Sequence, residues 1–241
     1  MKRLDALLAE RGLAQTRSKA RHMIEEGGVI VCGKPERKPG RLCPEEAIIE
    51  LLWRDENVSR AGRKLAFALR VFNITPRGRT VLDIGAGTGG FTECLLRGGA
   101  AAVYAVDVGH GQLHGSLRGD GRVTCMEGQN ARDLRPGMVP RPFDLAVMDV
   151  SFISQTLIYP ALAACMAEYG EIITLVKPQF EAGRGNIGKG VVRDVGVYEK
   201  VMQRLAGCAA ENGLCKVGET ESPITGKDGN KEFFLYMRKE T

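Results

Sequence analysis

The chain has 241 residues, enough for one substantial domain and one small domain; 44% of them are hydrophobic and the formal net charge is +5. No apolar run approaches the roughly 18 residues of a membrane-spanning helix, and no signal-peptide hydrophobic region follows Met1, so we expect a cytoplasmic protein without a membrane partner. The 7 cysteines are scattered, without a C-x-x-C pair or a Cys/His cluster, which predicts reduced thiols and no metal site.

The first segment, 1–52, has the pattern of a small α+β domain. Leucines at helical spacing predict a helix over 4–11, and Thr16 is a suitable N-cap for a second helix that ends before two glycines. Short apolar runs predict strands at 29–31 and 48–51, with a turn at 33–35 between them.

Three stretches of this segment resemble the S4 RNA-binding domain: Arg3-Leu4-Asp5, residues 16–20 and residues 28–34. In that fold the second helix and the following loop lie against RNA phosphates, which helix N-termini and basic side chains bind well. The alternative is an ordinary solvated charged face, because acidic residues nearly balance the basic ones here. The RNA contacts that we expect here, near the start of the next domain and in a later glycine-rich loop are Arg3, Arg17, Lys19, Arg21, Lys34, Arg60, Arg63, Arg184 and Lys189.

After a predicted linker at 53–58, the second domain, 59–241, opens with an amphipathic helix that carries Lys64. Residues 81–91 (VLDIGAGTGGF) then join an apolar strand to a helix through a glycine cluster. Gly85, Gly87 and Gly90 satisfy the G-x-G-x-x-G pattern, which dinucleotide-binding proteins also show.

Asp83 discriminates between the ligands of such a turn. Its carboxylate would repel a pyrophosphate and attract S-adenosylmethionine, which carries a sulfonium and an ammonium group and no phosphate. This part of the segment resembles motif I of class I methyltransferases, whereas a purely structural glycine turn would not need an acid inside an apolar strand. The resemblance implies that the cofactor is bound by Asp83, Gly85, Ala86, Gly87, Gly89, Gly90 and Phe91.

Two later segments supply further cofactor contacts. The second strand, 99–106, ends at Asp107, where a carboxylate can bind both hydroxyls of a ribose, although it could also merely cap the next segment. A third strand at 122–126 precedes Asn130 and Asp133, which we expect to bind the adenine edge. His110 and His114 are four residues apart but lack a third ligand, so no metal site is expected.

The remaining elements alternate strand and helix, which predicts an α/β fold. The resemblance to motif I implies that this fold is of the class I, Rossmann-like methyltransferase type, with helices on both faces of the sheet. The predicted elements are a strand that ends at Asp149, a helix over 154–168, a strand that runs into Lys177, a helix from Asp194 to Asn212, and strands at 214–221 and 232–237.

The order Lys64, Asp149, Lys177, Glu232 resembles the catalytic tetrad of FtsJ-type ribose 2′-O-methyltransferases. A ribose hydroxyl is too weak an acid to ionise at neutral pH, and a lysine can accept its proton where burial and a second cation lower the pKa of such an amine. We expect Lys177 to be the base, because Pro178 and the strand fix it. Asp149 and Glu232 would orient and tune it, while Lys64 would either position the hydroxyl or share the proton. The alternative is that these four are dispersed surface charges.

An S4 domain followed by an FtsJ-like domain, with the stretches 59–65, 83–92, 149–154, 175–181 and 229–235, resembles the TlyA / hemolysin A family over nearly the whole chain. The resemblance implies S-adenosylmethionine-dependent 2′-O-methylation of cytidine in 16S or 23S ribosomal RNA, or in both. Three rival functions are an S-adenosylmethionine-sensing RNA-binding protein, a membrane-lytic hemolysin and an NAD-dependent oxidoreductase.

Overall fold

The computed structural model of the chain describes residues 1–51, 59–139, 142–183, 191–192, 194–226 and 229–240. The described elements form an N-terminal α+β unit and a larger C-terminal α/β unit. The linker predicted at 53–58 lies outside the described residues.

The N-terminal unit contains two helices, a three-stranded sheet and a two-stranded sheet, whose buried side chains share one core. Its elements are β1 (Lys2–Arg3), α1 (Leu4–Glu10), α2 (Arg17–Glu25), β2 (Val29–Val31), β3 (Lys34–Glu36), β4 (Leu42–Cys43) and β5 (Ile49–Leu51). Thr16 caps α2 as predicted, because its side chain accepts a hydrogen bond from the backbone N–H of Lys19. The turn predicted at 33–35 is wrong: φ is positive at Cys32 and Gly33, so a two-residue turn there lets Lys34 begin β3.

The C-terminal unit is a seven-stranded sheet in the order β11-β12-β10-β9-β6-β7-β8. Strands β10, β9, β6, β7 and β8 are parallel, whereas β12 is antiparallel to β10 and β11. Its elements are α3 (Arg60–Val71), β6 (Thr80–Ile84), α4 (Gly90–Arg97), β7 (Ala102–Asp107), α5 (Gly115–Arg118), β8 (Val123–Glu127), β9 (Phe143–Met148), α6 (Tyr159–Cys165), β10 (Met166–Val176), α7 (Pro178–Glu181), α8 (Val195–Glu211), β11 (Leu214–Glu221) and β12 (Phe233–Lys239).

Alternate residues of the central strands face two helical layers. Val81 and Leu145 pack in the core that α3 and α4 cover, while Leu82 and Ala146 pack in the core that α6 and α8 cover. A parallel sheet buried on both faces in this way follows from the nearly continuous apolar runs of its strands. The predicted α/β fold with helices on both faces is confirmed.

The helix predicted over 154–168 is wrong at its C-terminal end. The helix α6 stops at Cys165, and β10 begins at Met166, which pairs with Phe143 in the parallel ladder between β9 and β10. The register of that ladder shifts between Met166 and Glu171, and Tyr169 between them has φ +60°, a conformation outside the right-handed helix.

Candidate active site

A glycine turn joins β6 to α4 at the carboxyl end of the sheet. Gly85 has φ +79°, and a Cβ there would lie 2.4 Å from the backbone oxygen of Asp149. Only glycine permits both this backbone conformation and this close approach. The turn after β6 and the end of β9 therefore form one continuous floor.

A cavity of about 550 Å³ opens above this floor, at the carboxyl ends of β6, β7, β8 and β9. Ligands of open parallel sheets bind in this position. Of the residues predicted to bind the cofactor, Gly85, Gly87, Asp107 and Asn130 line the cavity. Gln112 and Gln129 also line it; the sequence analysis missed them because an amide side chain in a loop carries no distinguishing pattern.

Asp107 is held at the cavity wall by backbone donors. The N–H of Gly87 donates to Oδ2 at 2.8 Å, and the N–H of Gly109 donates to Oδ1 at 2.8 Å. Each carboxylate oxygen retains a lone pair, so the fixed carboxylate can still accept from a pair of vicinal hydroxyls.

The other predicted cofactor residues lie outside the cavity lining: Asp83, Ala86, Gly89, Gly90, Phe91 and Asp133. Phe91 is buried in the core, and Gly89 faces Leu113 and Leu117 on the far side of the turn. Asp133 is exposed at the end of a 3-10 turn that Asn130 caps. The direct contacts predicted for these residues are therefore not supported by their positions.

Asp83 lies behind the glycine turn and is fully buried. Thr92 Oγ1 donates to its Oδ2 at 2.6 Å, while its Oδ1 has no hydrogen-bond partner among the described residues. Burial raises the pKa of this carboxyl to about 7, opposed by the hydrogen bonds from Thr92 and reinforced by the nearby charges of Asp149 and Asp107. The cavity therefore adjoins three acidic groups.

Two lysine–carboxylate pairs lie beside the cavity, and we name these four residues the Lys/Asp/Lys/Glu set. Nζ of Lys64 is 2.5 Å from Oε2 of Glu232, and Nζ of Lys177 is 2.5 Å from Oδ1 of Asp149. The second contact is an ion pair, and Nζ of Lys177 also donates a hydrogen bond to Ser151 Oγ at 2.9 Å. Lys64 is 9% and Glu232 is 3% exposed, so the alternative that these residues are dispersed surface charges does not describe this pair.

The four charges interact with one another. Burial raises the pKa of Glu232, whereas Lys64 and then Lys177 lower it and Asp149 raises it further. The structure thus brings together four residues that lie on α3, after β9, after β10 and just before β12. Glu232 was predicted inside the last strand, and it lies one residue before it.

The loop after β9 carries an aromatic residue at the mouth of the cavity. Phe152 is 89% exposed, has φ +64° and lies with its ring centroid 4.6 Å from that of Phe180. Glu181 anchors the same loop, since it accepts from Ser154 Oγ at 2.7 Å and from the N–H of Gln155 at 2.8 Å. A left-handed conformation in a bulky residue indicates a constrained site.

The predicted RNA contacts fall into four groups. Arg3 and Arg17 are exposed, and both pair with the buried carboxylate of Asp5. Lys19, Arg21, Lys34 and Arg60 lie at least partly on the surface. Arg63 is a correction, because it is 7% exposed and faces Glu26 at 3.9 Å, too buried for an RNA contact. Arg184 and Lys189 lie outside the described residues.

The described residues contain no group of three or more His, Cys, Asp or Glu that could hold a metal ion. Within those residues, no helix is both long and apolar enough to cross a membrane. All 7 cysteines are free thiols.

Comparison with known proteins gives two family matches and several close relatives. The FtsJ-like methyltransferase model matches residues 57–239, and the S4 domain model matches residues 2–49. The chain is 44% identical over 242 residues to the 16S/23S rRNA (cytidine-2′-O)-methyltransferase TlyA of Mycobacterium tuberculosis, covering 99% of this chain and 90% of that protein. It is 40% identical over 237 residues to hemolysin A of Brachyspira hyodysenteriae, covering 98% and 99%. A solved structure of a candidate hemolysin from Streptococcus thermophilus superposes with a TM-score of 0.76 at 42% identity, covering 99% of this chain and 88% of that one.

Proposed function

Because this chain belongs to the TlyA / hemolysin A family of FtsJ-like methyltransferases, we propose that it transfers a methyl group from S-adenosylmethionine to a ribose 2′-hydroxyl of ribosomal RNA. The target suggested by the relatives' names is a cytidine in 16S or 23S RNA, or in both. The observation that carries the proposal is the pairing of two lysines with two carboxylates beside a cavity at the carboxyl ends of the strands.

The residues of the cavity fit S-adenosylmethionine better than a phosphate-bearing cofactor. Among the described residues, the lining contains no lysine or arginine, while Asp107 is part of it and Asp83 lies behind it. Acidic groups attract a cation and repel a pyrophosphate. Asp107 would hold the ribose of the nucleoside, and Asn130 together with Gln129 would bind its base. The bound molecule supplies a methyl group activated by a sulfonium.

The Lys/Asp/Lys/Glu set would provide the proton transfer. In that reaction the proton of the attacking 2′-hydroxyl would pass to Nζ of Lys177, and Asp149 would stabilise the ammonium that forms. Ser151 accepts a hydrogen bond from the same Nζ and thereby fixes its direction. Lys64, held by Glu232, would position the hydroxyl.

The N-terminal unit would anchor the RNA. We propose an S4-like domain at 1–52, a linker at 53–58 and a transferase domain at 59–241. Arg3 and Arg17 present guanidinium groups fixed by one buried carboxylate, an arrangement that suits RNA phosphates. A ribosomal partner agrees with the cytoplasmic location expected from the sequence.

The decisive experiment uses S-adenosylmethionine labelled in its methyl group and isolated small and large ribosomal subunits. After incubation the RNA is digested, and its nucleosides are separated to show which atom carries the label. We expect label in 2′-O-methylcytidine with the wild-type chain and none with Lys177→Ala. Label on a base atom would contradict the assignment of the Lys/Asp/Lys/Glu set, and binding of S-adenosylmethionine without transfer to either subunit would favour the sensor function.

A further inference from the structure

The end of α2 lies directly against a loop of the C-terminal unit. Gly27 has φ +77°, and a Cβ there would lie 2.5 Å from the backbone oxygen of Pro223. Pro223 is buried at this contact. Backbone meets backbone here, so neither side can adjust by a change of rotamer.

Two ion pairs flank this contact along α3. Nη1 of Arg63 is 3.9 Å from Oε2 of Glu26, and Arg70 pairs with Glu50 of β5. Arg63 is 7% exposed, so its pairing with Glu26 is shielded from solvent. The N-terminal unit thus contacts both the helix α3 and the loop at 222–226.

One contacted segment, α3, carries Lys64, and the other, the 222–226 loop, packs against its partner Glu232. Lys64 directly follows Arg63 on α3. In the loop, the N–H of Ser222 donates to the backbone oxygen of Glu232 at 2.8 Å, and a Cβ at Gly226 would lie 2.7 Å from Oε1 of Glu232. The loop is therefore fitted closely around the carboxylate that holds Lys64.

We propose that the N-terminal unit is a positioning element of the active site as well as an RNA anchor: by docking Glu26 and Gly27 against Arg63 and Pro223, it holds α3 and the 222–226 loop in the spacing that the Lys64–Glu232 pair requires. Glu26 and Gly27 are positioning residues, since they act through their neighbours and touch no reacting atom. This inference rests on the proposed methyl transfer at that site.

The test compares Gly27→Ala with Gly12→Ala in the full-length chain. Both glycines lie in the N-terminal unit with positive φ, but a Cβ at Gly12 meets nothing within 4 Å. Gly12→Ala therefore reproduces the backbone strain of a positive φ without a clash between the new methyl group and a neighbouring segment. A second comparison uses Glu26→Gln, which removes the ion pair with Arg63 without changing the backbone. Its control is Glu46→Gln, a substitution at an exposed glutamate of the same unit.

We expect Gly27→Ala to lower kcat for ribosomal subunits by roughly 10- to 100-fold, because small misplacements of catalytic groups have effects of this size. KM for the subunits and Kd for S-adenosylmethionine should change less than about twofold, because neither RNA contacts nor the cavity are altered. Glu26→Gln should lower kcat in the same direction but less. Hydrogen exchange of the Ser222 and Gly226 amides should accelerate in Gly27→Ala and not in Gly12→Ala.

A rise in KM with unchanged kcat would mean that the N-terminal unit only anchors RNA, and the proposal would fail. Equal losses in Gly27→Ala and Gly12→Ala would also overturn it, because backbone strain would then explain both. A wild-type chain that transfers no methyl group would instead refute the proposed function, and the exchange rates at Ser222 and Gly226 would still decide whether the docking holds the loop.

Discussion

Asp149 meets Lys177 with its side chain and Gly85 with its backbone. Its Oδ1 lies 2.5 Å from Nζ of Lys177, while its carbonyl oxygen occupies the position next to the Cα of Gly85 where any side chain would clash. One residue at the end of β9 therefore joins Lys177, the proposed base, to the glycine turn that borders the cavity. The geometry of the two halves of the site is consequently coupled.

Lys177→Ala should abolish methyl transfer and leave cofactor binding intact. Removal of the base removes a catalytic contribution of roughly 10²- to 10⁴-fold, whereas Lys177 does not line the cofactor cavity. Single-turnover rates and calorimetric titration with S-adenosylmethionine measure the two effects. Lys216→Ala, an exposed lysine paired with Glu219, is the matched control. A variant that retained activity within a few-fold would exclude Lys177 as the base.

Asp107→Ala should weaken S-adenosylmethionine binding by roughly 10- to 100-fold, since hydrogen bonds to a charged group contribute about 1.5–3 kcal/mol. At saturating cofactor, kcat should stay close to the wild-type value, because Asp107 is not part of the Lys/Asp/Lys/Glu set. Asp120→Ala, an acid paired with Arg122 at the surface, should leave binding unchanged. Equal affinities for Asp107→Ala and wild type, measured by calorimetry, would show that the ribose lies elsewhere.

Gly85→Ala should destabilise the protein and close off the cavity. The positive φ alone costs about 1–2 kcal/mol for an alanine, and the contact of 2.4 Å with the backbone of Asp149 adds to it. Gly78→Ala has the matching φ of +72° with open space around its Cβ, so it reports the strain alone. Urea unfolding should show the larger loss in Gly85→Ala, and its affinity for S-adenosylmethionine should fall as well. Identical losses of unfolding free energy in the two variants would mean that the backbone at Asp149 moves away from the new methyl group without destabilising the protein.

The buried carboxyl of Asp83 predicts a pH dependence of stability. Its pKa is raised from 3.8 to about 7, so between these values the folded protein keeps a proton that the unfolded chain has released. The free energy of unfolding should therefore fall as pH rises across this interval, and the full loss of stability should be reached above a pH of about 7. Each pKa unit corresponds to about 1.4 kcal/mol, so the loss is on the order of a few kcal/mol.

Asp83→Asn tests this dependence, because the amide cannot ionise. Urea unfolding at pH 5 and pH 8 should show a smaller difference for Asp83→Asn than for wild type. Asp144→Asn, an exposed acid on β9, should retain the wild-type difference. A wild-type slope that survives in Asp83→Asn would show that another group titrates there.

The glycine turn could be predicted because its signal is local. The spacing of Gly85 and Gly87 after an apolar strand implies a strand, a tight turn and a helix, and the structure has these elements in that order. Sequence could not tell that Asp83 points behind the turn rather than into the cavity, because burial depends on helix α4 packing over it through Thr92. Strand residues alternate in direction, but the ligand side is set by the rest of the fold.

The approach of Lys64 to Glu232 could not be derived from spacing, since 168 residues separate them. Only the resemblance to a family with that order of residues suggested it. The RNA contact predicted for Arg63 is wrong for a related reason. Its basic neighbours in the sequence suggested an RNA-binding surface, but in the fold it is buried and faces Glu26 of the N-terminal unit. Contacts between domains leave no periodic signal in either segment.

Strand β12 follows every other strand in the chain, yet it is inserted between β10 and β11 in the interior of the sheet. Glu232, the residue just before this strand, pairs with Lys64, which lies 168 positions earlier in the chain. Before this part of the chain has been synthesised, Lys64 therefore lacks the carboxylate with which it pairs in the fold. The Lys/Asp/Lys/Glu set is thus complete only when one of the last described segments has been made.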